Sequence, residues 1–173
     1  MIPLHAIEYR KAASADSYDL AVLKGKVWNT TYQGIYSDET LRGYDVRKNQ
    51  QIFDSIISNL DIEVYVAAEH GRIVGFITCG KPFRPFRDYK QEVGLLYILQ
   101  SHQRRGIGRA LFALAQDQVR STGESTFIIS VNRQNTNAIQ FYIAMGGKLI
   151  ATEQYQLRLA FHVDDQQPSA KKL

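Results

Sequence analysis

The chain has 173 residues, 45% of them hydrophobic and 22% charged, with a formal net charge of +4 and a single cysteine, Cys79. This is the length and balance of one soluble domain with its own core, which excludes a disordered chain, a strongly basic nucleic-acid binder and a disulfide-stapled mini-protein. No apolar run is long enough to cross a membrane, MIPLHAIEYRK lacks a signal-peptide core, and His5, His70, His102 and His162 are too scattered for a metal site, so a cytoplasmic protein without nucleic-acid, membrane or metal partners is expected.

In chain order, HAIEYRKA reads as a first strand. Ser14 and Asp16 can cap a helix on which Leu20, Leu23 and Val27 recur at helical spacing. A second helical stretch opens near Ser37. Its clearer part runs from Val46 to Leu60, with a stripe of Ile52, Phe53, Ile56, Ile57 and Leu60. IEVYVAAE and RIVGFITCG are strands joined by His70-Gly71, a hairpin turn, and Cys79 at the end of the second is placed in the core. After the loop KPFRPFRDYK, EVGLLYIL is a buried strand that runs straight into QSHQRRGIGRAL. The helix beyond carries Ile107, Leu111 and Leu114 on one side. STFIISV is another buried strand, and NTNAIQFYIAM is a short helix with Ala138, Phe141, Tyr142 and Met145 on one face. GGKLIATE and YQLRLAFHV close the domain as an antiparallel pair. The order predicts an α/β fold of the α+β type around one mixed sheet, a single domain over residues 1–163, and a polar, flexible tail over 164–173.

The stretch QRRGIGRAL places Arg104, Arg105 and Arg109 around Gly106 and Gly108 where a helix begins. Cations there face the positive end of the helix dipole, at a cost of roughly a few tenths of a kcal/mol each. A bound anion would relieve them, and glycines let it approach the unpaired amides of the first turn. A nucleotide P-loop requires Gly-Lys-Ser/Thr, which is missing, and a dinucleotide fingerprint would put Leu111 where a third small residue is needed. The stretch is therefore a phosphate cradle of another kind.

EVGLLYIL-QSHQ-RRGIGRAL, followed by VNRQNTNAIQFYIAMG, resembles the GNAT superfamily of N-acetyltransferases. The family's Gln/Arg-x-x-Gly-x-Gly/Ala is matched by Gln103, Gly106 and Gly108. Its second block is matched by Val131, Asn135, Ala138, Tyr142 and Gly146. The resemblance implies a mostly antiparallel sheet of six to seven strands flanked by about four helices, with the fourth and fifth strands splayed apart. It implies acetyl-CoA as acyl donor and direct attack by a primary amine in a ternary complex, in a monomer or homodimer. Gln103, Arg104, Arg105, Gly106, Ile107, Gly108 and Arg109 carry over as the pyrophosphate loop. Leu96, Tyr97 and Ile98 carry over as the backbone that pairs with the pantetheine arm, the Ile98 amide facing the thioester carbonyl. Asn135 carries over as a cofactor contact, and Tyr142 as a cofactor contact and general acid. Glu92 stands where many relatives have a glutamate as base, with water as the alternative. Ser130 replaces a glutamate that other relatives use. Gly147 departs from the family's usual phenylalanine, and Gln100 from its usual proline. Transfer of a larger acyl group, or CoA binding without turnover, are the rival implications.

The acceptor site falls to the first half of the chain. Trp28, Tyr32 and Tyr36, with Phe83, Arg84, Phe86, Arg87 and Tyr89 of the KPFRPFRDYK loop, are its candidates. Aromatic rings suit an amine's alkyl body and its charge, with Asp38 or Glu39 to attract that charge, whereas Arg84 and Arg87 would suit a carboxylate. A small amine, an amino-acid derivative and a protein N-terminus are all compatible with these residues.

Overall fold

A computed structural model of the chain describes residues 6–164. The elements are β1 (Glu8–Lys11), α1 (Ser17–Thr31), α2 (Asp38–Arg42), α3 (Val46–Ser58), β2 (Ile62–Glu69), β3 (Arg72–Gly80), β4 (Glu92–Ile98), α4 (Ile107–Ser121), β5 (Thr126–Asn132), α5 (Thr136–Ala144), β6 (Lys148–Thr152) and β7 (Gln156–His162). The strands form one seven-stranded sheet in the order β1-β2-β3-β4-β5-β7-β6. All neighbours are antiparallel except β4 and β5. This is the α+β sheet expected. Of the expected tail only Asp164 falls among the described residues, and His5 also lies outside them.

The helical stretch after Ser37 is two helices. Ser37 caps α2 by accepting from the Thr40 amide, Gly43 ends it, and Asp45 starts α3 by accepting from the Lys48 amide at 3.0 Å. Phe53 and Ile56 are buried as expected, but Ile52 is 43% and Leu60 99% exposed. The reason for Leu60 is that α3 stops at Ser58 and the extended backbone of Asn59 carries the chain off the helical face. On α4 the buried stripe is Ile107, Leu111, Phe112, Ala115 and Val119, and Leu114 sits only partly buried beside it. The hairpin between β2 and β3 is made by His70 and Gly71, at φ of 52° and 75°.

The core is double. On one face of the sheet, α4 and α5 cover Val93, Phe127 and Phe161 with Leu111, Phe112, Tyr142 and Met145. On the other, α1 and α3 set Leu20, Leu23 and Phe53 against Val66 and Phe76. Cys79 is buried, and desolvation raises its thiol pKa to about 12, which makes it an inert packing residue. At Gly147 a Cβ would stand 2.7 Å from the Phe161 ring and 2.9 Å from the Tyr142 carbonyl oxygen. Phe161, stacked on Phe127 at 5.0 Å, fills the space that a side chain at 147 would need.

The site is prepared by the β4–β5 junction. Only Glu92 with Ile128 and Val93 with Ile129 are in register. Beyond them β4 continues to Ile98 along β3, and β5 continues to Asn132 along β7. The two strands therefore part, and a gap opens in the middle of the sheet.

Candidate active site

Strand alternation decides which β4 groups face this gap. The Leu99 amide donates to the Val74 carbonyl at 2.9 Å and the Leu95 amide to Thr78 Oγ1 at 2.8 Å, both on β3. The backbone groups of Leu96 and Ile98 are thereby turned toward the gap. The Ile98 carbonyl accepts from Gln103 Nε2 at 3.1 Å, which ties the strand to the turn that follows it. One expected contact changes: the alternation spends the Tyr97 backbone on β3. Tyr97 contributes its ring instead, stacked on Phe76 at 5.6 Å.

The turn after β4 leaves amides without partners among the described residues. Arg104 and Gly106 take left-handed backbone at φ of 63° and 83°, and Gly106 is the N-cap of α4 without a capping side chain. Among the described residues no acceptor meets the amides of Arg104, Arg105 or Gly106. Those of Ile107, Gly108 and Arg109 have none within the helix, because a helix leaves its first amides unpaired. These successive donors line one concave turn, an arrangement that binds phosphate. Arg104 and Arg109 are exposed and form no ion pair among the described residues. A Cβ at Gly108 would lie 3.2 Å from Ile98 and 3.4 Å from Phe141, so glycine also lets α4 start close against β4 and α5.

Arg105 has a different task from its neighbours. Its guanidinium donates to Glu69 at 2.7 Å, and the other Glu69 oxygen meets His102 Nε2 at 2.8 Å. Glu69 ends β2, so this pair pins the cradle to the β2–β3 hairpin. Sequence reading missed the pin because Glu69 lies far away along the chain. The hydrogen bonds from Arg105 and then His102 lower the Glu69 carboxyl to about 2 from its ordinary 4.5. A depressed carboxyl stabilises the fold above its unfolded pKa and loses that contribution as pH falls toward its folded value. Glu69→Gln should therefore lower the melting temperature at pH 6, and the gap to wild type should close as pH drops from about 4.5 to about 2. A gap that is the same at every pH would remove this role of the charge.

Tyr142 lies on α5, packed among Phe112, Phe141 and Phe161. Burial, and then the proximity of Tyr32, raise its pKa, so the hydroxyl stays protonated. Among the described residues that hydroxyl has no hydrogen-bond partner, and it is not sealed from solvent. Asn135 caps α5 by accepting from the Ala138 amide at 3.2 Å, and its side chain also lies beside the Tyr32 hydroxyl. Tyr32 follows α1, on the opposite face of the sheet from α5. Tyr32 nevertheless lies close enough to influence Tyr142. Tyr32, Tyr97 and Tyr142 thus lie near one another, and burial raises the pKa of each. Trp28 backs this group, edge-on to Tyr32 at 6.1 Å and to Tyr36 at 6.0 Å, and Asn132 of β5 donates to the Tyr36 hydroxyl at 3.1 Å.

Glu92 is 7% exposed, and both carboxylate oxygens are engaged. Oε2 accepts from the Phe83 amide at 3.1 Å, and Oε1 accepts from Ser130 Oγ at 3.0 Å. Arg158 Nη1 stands 3.9 Å from Oε1. A carboxylate with these partners holds its neighbours in place. Arg158, 5% exposed on β7, escaped the sequence reading, because a charged residue between two leucines of a strand gives no sign of its partners. Phe83 is 52% exposed and its ring lies over Gly94, where a Cβ would come within 2.8 Å of it; Arg84 is exposed beside it.

A separate surface pocket of about 500 Å³, lined by Glu63, Cys79, Lys81, Tyr89 and Gln118 among others, includes no residue of the cradle. Among the described residues no group of three or more His, Cys, Asp or Glu could hold a metal, and no helix is long and apolar enough to cross a membrane.

Residues 28–146 match the model of the acetyltransferase (GNAT) family. An N-acetyltransferase of Bacillus subtilis, YuaI, is 29% identical over 87% of this chain and 86% of its own length. A spermidine N(1)-acetyltransferase of Thermoplasma acidophilum is 28% identical over 86% of this chain and 92% of its own. The crystal structure of PaiA N-acetyltransferase from Thermoplasma acidophilum, in complex with coenzyme A, superposes with a TM-score of 0.80 at 26% identity, covering 91% of this chain and 99% of that one.

Proposed function

Since the chain belongs to the GNAT family of acetyltransferases and moves acetyl from acetyl-CoA to an amine, we propose that the β4–β5 gap is where its donor and acceptor meet. The observation that carries this reading is the run of unpaired amides from Arg104 to Arg109, which opens onto the end of that gap. These amides hold the pyrophosphate, and Arg104 and Arg109 add charge from either side. Gln103 braces the Ile98 carbonyl at the cradle's rim. The backbone of Leu96 and Ile98 pairs with the pantetheine arm as an added strand would. The Ile98 amide donates to the thioester carbonyl as it becomes an oxyanion, an effect of roughly 3 kcal/mol where such donors have been removed elsewhere.

Tyr142 provides the proton for the departing sulfur. Its raised pKa keeps it a protonated donor beside the sulfur as the C–S bond breaks. Asn135 positions the start of α5 and thus this hydroxyl. The attacking ammonium loses its proton to water in the gap, while Glu92 is tied to the Phe83 amide and Ser130.

The acceptor enters from the α1 face, between Trp28, Tyr32 and Tyr36 on one side and Phe83 with Arg84 on the other. The rings suit an alkylammonium. Among the described residues the buried arginine on that face, Arg158, is already matched by Glu92 and Glu153 and is not free to receive a carboxylate. We therefore assign an alkyl di- or polyamine as acceptor, in line with the spermidine specificity named for the Thermoplasma relative. The single buried cysteine fits a cytoplasmic setting. The test is purified protein with acetyl-CoA against spermidine, methionine and a peptide with a free N-terminus, following thiol release and product mass. Spermidine should react fastest and gain one acetyl group. Preference for methionine would overturn the acceptor, a faster reaction with longer acyl-CoAs the donor, and thiol release with no amine the transferase reading.

A further inference from the structure

The loop between β3 and β4 crosses the sheet instead of hanging off its end. Its Phe83 amide is held by Glu92 on β4. The Phe86 ring lies on the Arg158 guanidinium of β7, 5.0 Å from its centroid, with Arg87 at 5.0 Å from the same centroid. Arg87 then donates to the Ile150 carbonyl of β6 at 3.1 Å. The loop thus spans β5 and β7 on the face where α1 and α3 cover β2, β3 and β4.

Beneath it is a buried relay. Register places Ser130 opposite Arg158. Ser130 Oγ accepts from Arg158 Nη1 and donates to Glu92, while Arg158 Nε donates to Glu153 at 3.1 Å. Ser130 and Asn132, two apart on β5, share one face. Asn132 carries Tyr36, so the loop and the α1 aromatics stand on either side of the same stretch of β5.

We propose that Arg158, Ser130 and Glu92 form a buried clamp that holds the Phe83–Phe86 segment as one wall of the acceptor site. Glu92 and Arg158 are then positioning residues for the amine. The proposal rests on the β4–β5 gap being the acetyl-transfer site. It assigns Arg158 a role that no motif reveals, and it gives Glu92 a task other than proton removal.

The clamp predicts a particular kinetic pattern. An altered wall weakens the acceptor equally before and in the transition state, so KM should change and kcat should not. With spermidine as probe, Phe86→Ala and Arg158→Lys should each raise its KM by about tenfold with kcat within about threefold of wild type. Acetyl-CoA affinity should be unchanged. Glu92→Gln should show the same KM change and keep the wild-type pH profile. A fall in kcat with spermidine KM intact, or a lost acidic limb in Glu92→Gln, would overturn the clamp and make Glu92 the base. Hydrogen exchange of residues 81–91 gives a readout that needs no turnover. Exchange there should accelerate in Arg158→Lys, and unchanged exchange would also overturn the proposal. If the wild-type protein bound no acetyl-CoA, the function assignment would fail while this exchange result still judged the clamp.

Discussion

Gly108→Val should abolish acetyl-CoA binding in a protein that still folds. Gly108 is the second residue of α4, and its amide belongs to the cradle. A Cβ there already meets Ile98 at 3.2 Å and Phe141 at 3.4 Å, and the two methyl groups of valine have nowhere to go but further into the junction of β4, α4 and α5. Overpacking of this kind costs roughly 1–3 kcal/mol, which a domain of this size can absorb. In the wild type, acetyl-CoA at a hundredfold excess over its Kd should stabilise the fold by about 2.7 kcal/mol. That raises the melting temperature by about 2–4 °C per kcal/mol in a domain of this size. In the variant the far-UV spectrum should be native and the ligand-induced shift absent. A full shift in the variant would move the pyrophosphate away from this helix end.

Tyr142→Phe should reduce kcat by roughly 10- to 1000-fold, near the usual range for a general acid. The ring remains, so its contacts with Phe112, Phe141 and Phe161 persist and the core should hold. Only the hydroxyl is lost, and since among the described residues it has no hydrogen-bond partner, its removal strands no buried group there. Acetyl-CoA affinity should change little, because the cradle and β4 carry most of the cofactor contacts. A loss confined to kcat is the mark of an interaction made in the transition state. Wild-type kcat in a destabilised variant would make Tyr142 a packing residue.

The elements and the cradle were legible because they depend on local physics. The strand-like apolar runs IEVYVAAE and RIVGFITCG around His70-Gly71, and arginines beside glycines at a helix start, each admit few readings. What stayed hidden depends on pairing across the sheet. Glu92 becomes a tied anion only because β5–β7 register brings Arg158 under Ser130. The Tyr97 backbone turns to β3 because an irregularity between Ile77 and Cys79 resets the alternation of β4. Gly147 replaces an expected phenylalanine because Phe161, from the last strand, already occupies its space. The break between α2 and α3 was readable in principle, since Gly43 and Asp45 are a stop and a start, but the apolar period alone spans them.

The most direct test of the account is an amide-resolved NMR titration of the protein with acetyl-CoA. The account predicts the largest shifts at the amides of Arg104 to Arg109 and at Leu96 and Ile98, with smaller changes at Tyr142 and Asn135. Saturable shifts gathered instead around Glu63, Cys79 and Tyr89, at the separate pocket, with the cradle amides unmoved, would contradict it.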